Sequence, residues 1–180
     1  MSNAHPLYTP MENKEIEIKL LFKNKKSIIA ALQPQIKSKG YFFVRDTYFG
    51  HKNTTMENTH ELFRIRETNK KNTELTLKGK AADKKNIWHR TELTIKIDSS
   101  ETAREILAYL GFQKIREYES RKEHWDYDGA EITFAKFFKP ARLEFMEIEG
   151  KSNKQIRALV KKLENKVQEA GEEIFKVFDK

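Results

Sequence analysis

The sequence predicts an α+β fold that is mostly antiparallel β: a barrel with a charged interior and helices packed outside. The first observation is that Glu15-Ile16-Glu17-Ile18-Lys19 alternates charged and apolar residues with a period of two, as Glu147-Ile148-Glu149 does near the other end. Residues two apart on a strand share a face, so acids lie on one side and isoleucines on the other. The second is that strands alternating Arg or Lys with aliphatics lie between these acidic ones, as in Leu62-Phe63-Arg64-Ile65-Arg66. The third is that the helical segments need an apolar sheet face to cover. The aliphatic residues supply it, which encloses the charged face once the sheet curls closed. A charged interior costs too much to be padding, so the pattern points to a site for metal ions and a polyanion.

The elements follow in order along the chain. Glu15–Phe22 reads as a strand, and Ser27–Ile36 carries Ile28, Ile29 and Leu32 at helical spacing, with Pro34 weakening its end. The aromatic, β-branched run Tyr41–Phe49 reads as a strand and Gly50–Thr59 as a polar turn. Leu62–Glu67 and Glu74–Lys78 flank the turn-like Asn69–Asn72 and form a hairpin; Gly79–Asn86 is a basic loop before the long alternating strand Ile87–Ile97. Glu101–Leu110 reads as a helix with Ser100 as N-cap and Gly111 at C′. Arg116–Tyr127 and Ala130–Phe138 surround Asp128-Gly129, a short-hairpin dipeptide, and Leu143–Glu149 is the last strand. Ser152 and Gln155 make a capping box, after which Ile156, Leu159, Val160, Leu163 and Val167 form one apolar stripe of a helix ending near Gly171.

Composition bounds the function. At 180 residues the chain suits one well-filled domain. Residues 1–13 are expected to be a disordered tail or cloning remnant, and 14–180 a single domain that includes the C-terminal helix. A net charge of +8 favours anionic partners, and the absence of cysteine excludes disulfides and thiolate metal sites. No apolar run approaches the roughly 20 residues that span a bilayer, and the N-terminus lacks the apolar stretch of a signal peptide, so no membrane partner and a cytoplasmic location are expected. His5, His51, His60, His89 and His124 are scattered without metal-ligand spacing, and the seven glycines form no phosphate-cradling loop.

The strands divide into two chemical groups. Glu15 and Glu17 pair with Glu147 and Glu149 as acids, while Arg64, Arg66, Lys78 and Arg90 form a basic set. Carboxylate oxygens suit hard cations such as Mg²⁺ or Mn²⁺, and guanidinium and ammonium groups suit phosphate oxygens. Acids holding a metal opposite bases holding phosphates are the parts of a phosphoryl-transfer site.

Glu15-Ile16-Glu17-Ile18-Lys19 resembles the Glu-x-Glu-x-Lys signature of the CYTH superfamily, the triphosphate tunnel metalloenzymes. The order of the segments that follow strengthens the resemblance: Asp46-Thr47-Tyr48-Phe49, Leu62-Phe63-Arg64-Ile65-Arg66, Leu75-Thr76-Leu77-Lys78-Gly79, Arg90-Thr91-Glu92 and Phe145-Met146-Glu147-Ile148-Glu149. It implies an eight-stranded antiparallel tunnel that binds a triphosphate inside. By this resemblance Glu15, Glu17, Glu147 and Glu149 would bind Mg²⁺ or Mn²⁺, with Glu92 a further acid near the metals. Arg64, Arg66, Lys78 and Arg90 would grip phosphate, with Lys122 and Arg121 added from the segment after the central helix, where Ser120 stands at the place of a Lys. Lys19 would contact phosphate or orient water, so that Lys19 and Glu17 carry catalysis. Members carry an Asp on the strand before the final Glu-x-Glu; Ile132–Phe138 has no acid, so either a metal ligand is missing or Asp126, Asp128 or Glu144 substitutes for it.

The function expected is divalent-metal-dependent hydrolysis of a triphosphate, either inorganic triphosphate or an organic one such as thiamine triphosphate or a nucleoside triphosphate. The alternatives are a class IV adenylyl cyclase, which makes cyclic AMP and pyrophosphate from ATP, and a non-catalytic binder of polyphosphate or nucleic-acid 5′ ends. A homodimer through the outer sheet or the C-terminal helix is left open as a partner.

Overall fold

The computed structural model describes residues 14–56, 61–69, 72–84 and 86–179. Ten strands and three α-helices lie among them: β1 (Lys14–Phe22), α1 (Lys25–Leu32), β2 (Lys37–His51), β3 (Leu62–Thr68), β4 (Thr73–Lys78), β5 (Ala82–Lys84), β6 (Ile87–Lys96), α2 (Ser100–Tyr109), β7 (Phe112–Tyr127), β8 (Ala130–Lys139), β9 (Leu143–Glu149), α3 (Asn153–Lys162) and β10 (Val167–Ala170). A 3₁₀ helix, Glu172–Asp179, ends the described chain.

The strands run β1-β9-β8-β7-β2-β3-β4-β6, and β6 returns to β1, so eight antiparallel strands close into a barrel. Closure uses Lys14–Ile18, which pair with Thr91–Ile87. The second half of the same edge of β1 is taken by β10, from Lys19 opposite Ala170 to Phe22 opposite Val167. The expected eight-stranded antiparallel tunnel with outer helices is the observed fold.

Helices cover the barrel where its outer face is aliphatic. Ile18 and Leu20 of β1, Ile132 and Phe134 of β8, and Met146 and Ile148 of β9 pack against Ile28 and Leu32 of α1 and Ile156 and Leu159 of α3. Each such side chain stabilises by roughly 2 kcal/mol on burial. On another side Ala103 and Leu107 of α2 sit on Phe49 and Ile65. A third cluster faces inward: Tyr118, Phe137 and Phe145 pack with Phe178 of the 3₁₀ helix at one end of the tunnel. No helix of the described residues is long and apolar enough to cross a membrane.

Local chemistry sets the boundaries. Asn24 caps α1 by accepting from Ser27 N at 3.3 Å, and the helix stops two residues before Pro34. Asp128 and Gly129 both take positive φ, 51° and 72°, which gives the twist a two-residue hairpin needs between β7 and β8. Three expectations are corrected. The cap of α2 is Ser99, whose Oγ accepts from Thr102 N at 3.0 Å, because Ser100 is already helical. The basic loop after Lys78 contains β5, which pairs with β6. The last helix ends at Lys162 rather than near Gly171: Asn165 at φ 70° turns the chain, and Val167 packs on the same core from β10. Gln155 accepts from Lys151 N at 2.8 Å, one residue before the cap Ser152, while Ser152 Oγ accepts from Gln155 N.

Candidate active site in the tunnel

The barrel encloses a cavity of about 450 Å³. Its acids stand on adjacent strands. Glu17 of β1 lies opposite Glu149 of β9, which lies opposite Glu131 of β8; one step along, Lys19 lies opposite Glu147. Like charges directly across a sheet repel. Burial, and then the charges of Glu15, Glu131, Glu17 and Glu147, raise Glu149 from 4.5 to about 7. Burial alone would also raise Glu17, but Lys19, Arg90 and Lys78 outweigh it and hold Glu17 at about 2.

The bases come from β3, β4, β6 and β7. Arg64 Nη2 donates to Thr76 Oγ1 at 3.2 Å, and Arg66 grips Asp46 through Nε at 2.7 Å and Nη2 at 2.9 Å. Burial would raise the Asp46 carboxyl, but this guanidinium outweighs it and holds Asp46 well below the usual carboxylate range. Lys122 Nζ stands 4.0 Å from the same carboxylate, and burial, then Arg66, pull its pKa down. Lys78 is lowered in the same way, by burial first and Arg64 next, although it touches Glu92 and lies 3.7 Å from Glu15. Arg90 lies 3.3 Å from Glu15 and 3.5 Å from Glu17. Lys19 Nζ is 2.5 Å from Glu17, 3.6 Å from Glu147 and 4.0 Å above the Trp88 ring. Burial opposes its charge, yet the two carboxylates prevail and raise Lys19, so it acts as a fixed cation and not as a base.

Of the residues predicted for the site, Glu15, Glu17, Lys19, Arg64, Arg66, Lys78, Arg90, Glu92, Lys122, Glu147 and Glu149 all line this cavity. Arg121 does not. Its neighbour Lys122 points in, so Arg121 points out, where it bonds Glu123 at 2.6 Å and stacks 4.8 Å from the Tyr41 ring. The acid expected to replace the missing Asp is also placed elsewhere. Asp126 and Glu144 pair with Lys39 and Lys136 outside the tunnel lining, and Asp128 forms the hairpin turn. The acid that β8 turns inward is Glu131, but its oxygens are engaged by His124 at 2.8 Å and Lys39 at 3.5 Å.

Asp46, Tyr48, Trp88, Arg116, Tyr118, His124, Glu131 and Lys176, to which the sequence pattern assigns no role, also line the cavity. Strand parity could have found three of them, because Arg116, Tyr118 and His124 lie at even steps from Lys122 on β7. Among the described residues, eight Lys and Arg face seven Asp and Glu within the lining. Glu15, Glu17, Asp46, Glu92, Glu131 and Glu147 are each paired with a base, and among the described residues no three His, Asp or Glu side chains converge as a preformed metal site. The donor set still fits a hard cation: its carboxylates sit on neighbouring strands, and burial, with their mutual repulsion added, raises Glu149 to about 7.

The CYTH domain model matches residues 13–177. Among solved structures, a Pyrococcus horikoshii protein is 23% identical, covers 86% of this chain and 94% of that one, and superposes with a TM-score of 0.68. A putative adenylate cyclase from Vibrio parahaemolyticus is 16% identical over 90% of this chain and 97% of that one, with a TM-score of 0.68. A Hippeastrum protein, described as a putative adenylyl cyclase with a dominant triphosphatase activity, is 16% identical over 92% and 95%, with a TM-score of 0.69. At these identities the likeness shows the fold alone. A comparison with curated protein sequences finds no match.

Proposed function

The chain belongs to the CYTH family, and from that premise we propose that it is a divalent-metal-dependent hydrolase of a triphosphate held inside the barrel. One observation carries the reading: a single cavity of about 450 Å³ has carboxylates on β1 and β9 facing guanidinium and ammonium groups on β3, β4 and β6. When bound, Mg²⁺ or Mn²⁺ held by Glu15, Glu17, Glu147 and Glu149, with Glu92 beside them, supplies neutralisation of phosphate charge and activation of water. The chain's own residues do the rest. Arg64, Arg66, Lys78, Arg90 and Lys122 bind the phosphate oxygens and offset the charge that builds as the bridging P–O bond breaks. Asp46 fixes the Arg66 fork in one orientation, and Lys19 adds a permanent positive charge against the phosphate chain. The enclosing barrel keeps these charges in a medium where each contact counts for more than in water.

The test is phosphate release from inorganic triphosphate, ATP and thiamine triphosphate with Mg²⁺ and Mn²⁺, scoring cyclic AMP in the ATP samples. Hydrolysis is expected, and Glu17→Gln should lower kcat by at least about 100-fold, the loss of roughly 3 kcal/mol of transition-state stabilisation. Undiminished metal-dependent turnover in that variant would remove the reading. Cyclic AMP with pyrophosphate would replace it with the cyclase, and tight salt-sensitive binding without turnover would replace it with the polyphosphate binder.

A further inference from the structure

Among the described residues His124 is the one imidazole in the tunnel lining. It sits on β7 opposite Thr133 of β8, and Thr133 in turn lies opposite Glu147 of β9. The ring is held on three sides. Nδ1 is 2.8 Å from Glu131 Oε1 and 3.2 Å from Thr133 Oγ1, and Phe42 meets the ring edge-on with centroids 5.5 Å apart. Glu131 is braced in turn by Lys39, 3.5 Å from its other oxygen. The hydrogen bond from His124 lowers the Glu131 pKa, which keeps it a carboxylate. A carboxylate on Nδ1 fixes the proton there and leaves the Nε2 lone pair open. Nε2 has no partner among the described residues, although the ring borders the cavity.

Hydrolysis requires water to lose a proton. The arginines remain charged, Lys19 is held protonated by Glu17 and Glu147, Lys78 and Lys122 are assigned to phosphate oxygens in the reading above, and Glu149, which burial raises to about 7, is assigned there to the metal. We propose that His124 is the proton acceptor of the reaction, positioned by Glu131; this rests on the hydrolase reading above. Water oxygen bonds to the terminal phosphorus, the bridging P–O bond breaks with its electron pair remaining on the departing diphosphate, and the proton of the water passes to Nε2. The Glu131 carboxylate stabilises the imidazolium without taking the proton. The charges that bear on this titration are Glu131, Lys39 behind it, Asp126 at 3.9 Å from Lys39, Lys122 two residues along β7, and Glu147 beyond Thr133.

The experiment measures kcat and KM against pH for wild type, His124→Asn and Glu131→Gln, together with tripolyphosphate affinity by calorimetry. Asn can keep a donor near Nδ1 but offers nothing at Nε2. His124→Asn is expected to lose about 100-fold in kcat, to change KM and tripolyphosphate affinity by less than about 3-fold, and to lose the acid limb of the kcat profile. Glu131→Gln withdraws the charge that favours the imidazolium, so its acid limb should move to lower pH. An acid limb and kcat unchanged in His124→Asn would overturn the proposal, as would a defect confined to tripolyphosphate binding. If Asn prevents folding, His124→Gln takes its place. A wild-type kcat with no acid limb between about pH 5 and 8 overturns the proposal without any variant. Wild-type protein that hydrolyses no triphosphate overturns the hydrolase reading and this role together, whereas hydrolysis indifferent to His124 overturns this role alone.

Discussion

Asp46 shows how a charge is tolerated inside this barrel. Its residue is 2% exposed, and the Arg66 fork occupies both carboxylate oxygens. Asp46 is held below its usual range and Arg66 above its own, so the two shifts describe one interaction in agreement. For a carboxylate with a depressed folded pKa, the stabilisation is present above the unfolded value of about 3.9 and is lost as pH falls toward the folded value. Asp46→Asn leaves the buried guanidinium without its counter-charge. It should cost about 3 kcal/mol at neutral pH, and that difference from wild type should shrink as the pH is lowered below about 4. Urea unfolding of both proteins at neutral and acid pH checks this, and a constant difference across the range would mean that packing, not charge, holds the pair.

At the scale of elements, the tunnel is built from strands, and the 3₁₀ helix packs on its aromatic residues and adds Phe175 and Lys176 to its lining. Phe178 lies 4.9 Å from Tyr118 and 5.5 Å from Phe137, centroid to centroid, and its carbonyl accepts from Arg116 at 3.0 Å. Phe178→Ala should cost about 3 kcal/mol by removing a buried ring, measured by urea unfolding. A change under about 0.5 kcal/mol, the range of an ordinary surface substitution, would mean that the segment does not brace the aromatic end. The same scale explains what could be read in advance. On β1, β3 and β9 one face is covered by helices and is aliphatic, so charge alternates with apolar residues and the inward set is legible. On β7 that contrast fails. Glu117, Glu119, Arg121 and Glu123 face outward beside Arg116, Tyr118, Ser120 and Lys122, because the outer face is not covered there. With charge on both faces, period two identifies no inside, so Arg121 reads like Lys122. The last helix reads too long for a related reason. Leu163 and Val167 continue the helical spacing and join the same core, but the second does so from a strand after the turn at Asn165.

For the whole molecule, the near balance of eight bases and seven acids among the described residues of the lining makes the resting tunnel its own counter-ion. Glu15 and Glu17 are occupied by Arg90, Lys78 and Lys19. A bound triphosphate would compete for those bases and leave the carboxylates uncompensated, while a cation alone would compete for the carboxylates and leave the bases uncompensated. Each ligand therefore prepares the tunnel for the other, and linkage makes the effect reciprocal. Tripolyphosphate should bind at least about tenfold more tightly with saturating Mg²⁺ or Mn²⁺, a coupling of about 1.4 kcal/mol. In scanning calorimetry the rise in Tm with both ligands should exceed the sum of the separate rises. Mg²⁺ also binds free tripolyphosphate, so the titrations must be corrected for that complex before the coupling is read. Glu147→Gln and Glu149→Gln together should abolish the coupling yet leave tripolyphosphate binding to the basic strands. If wild type binds tripolyphosphate equally with and without the metal, the carboxylates serve only to neutralise the bases, and the barrel is a polyanion binder without a metal site.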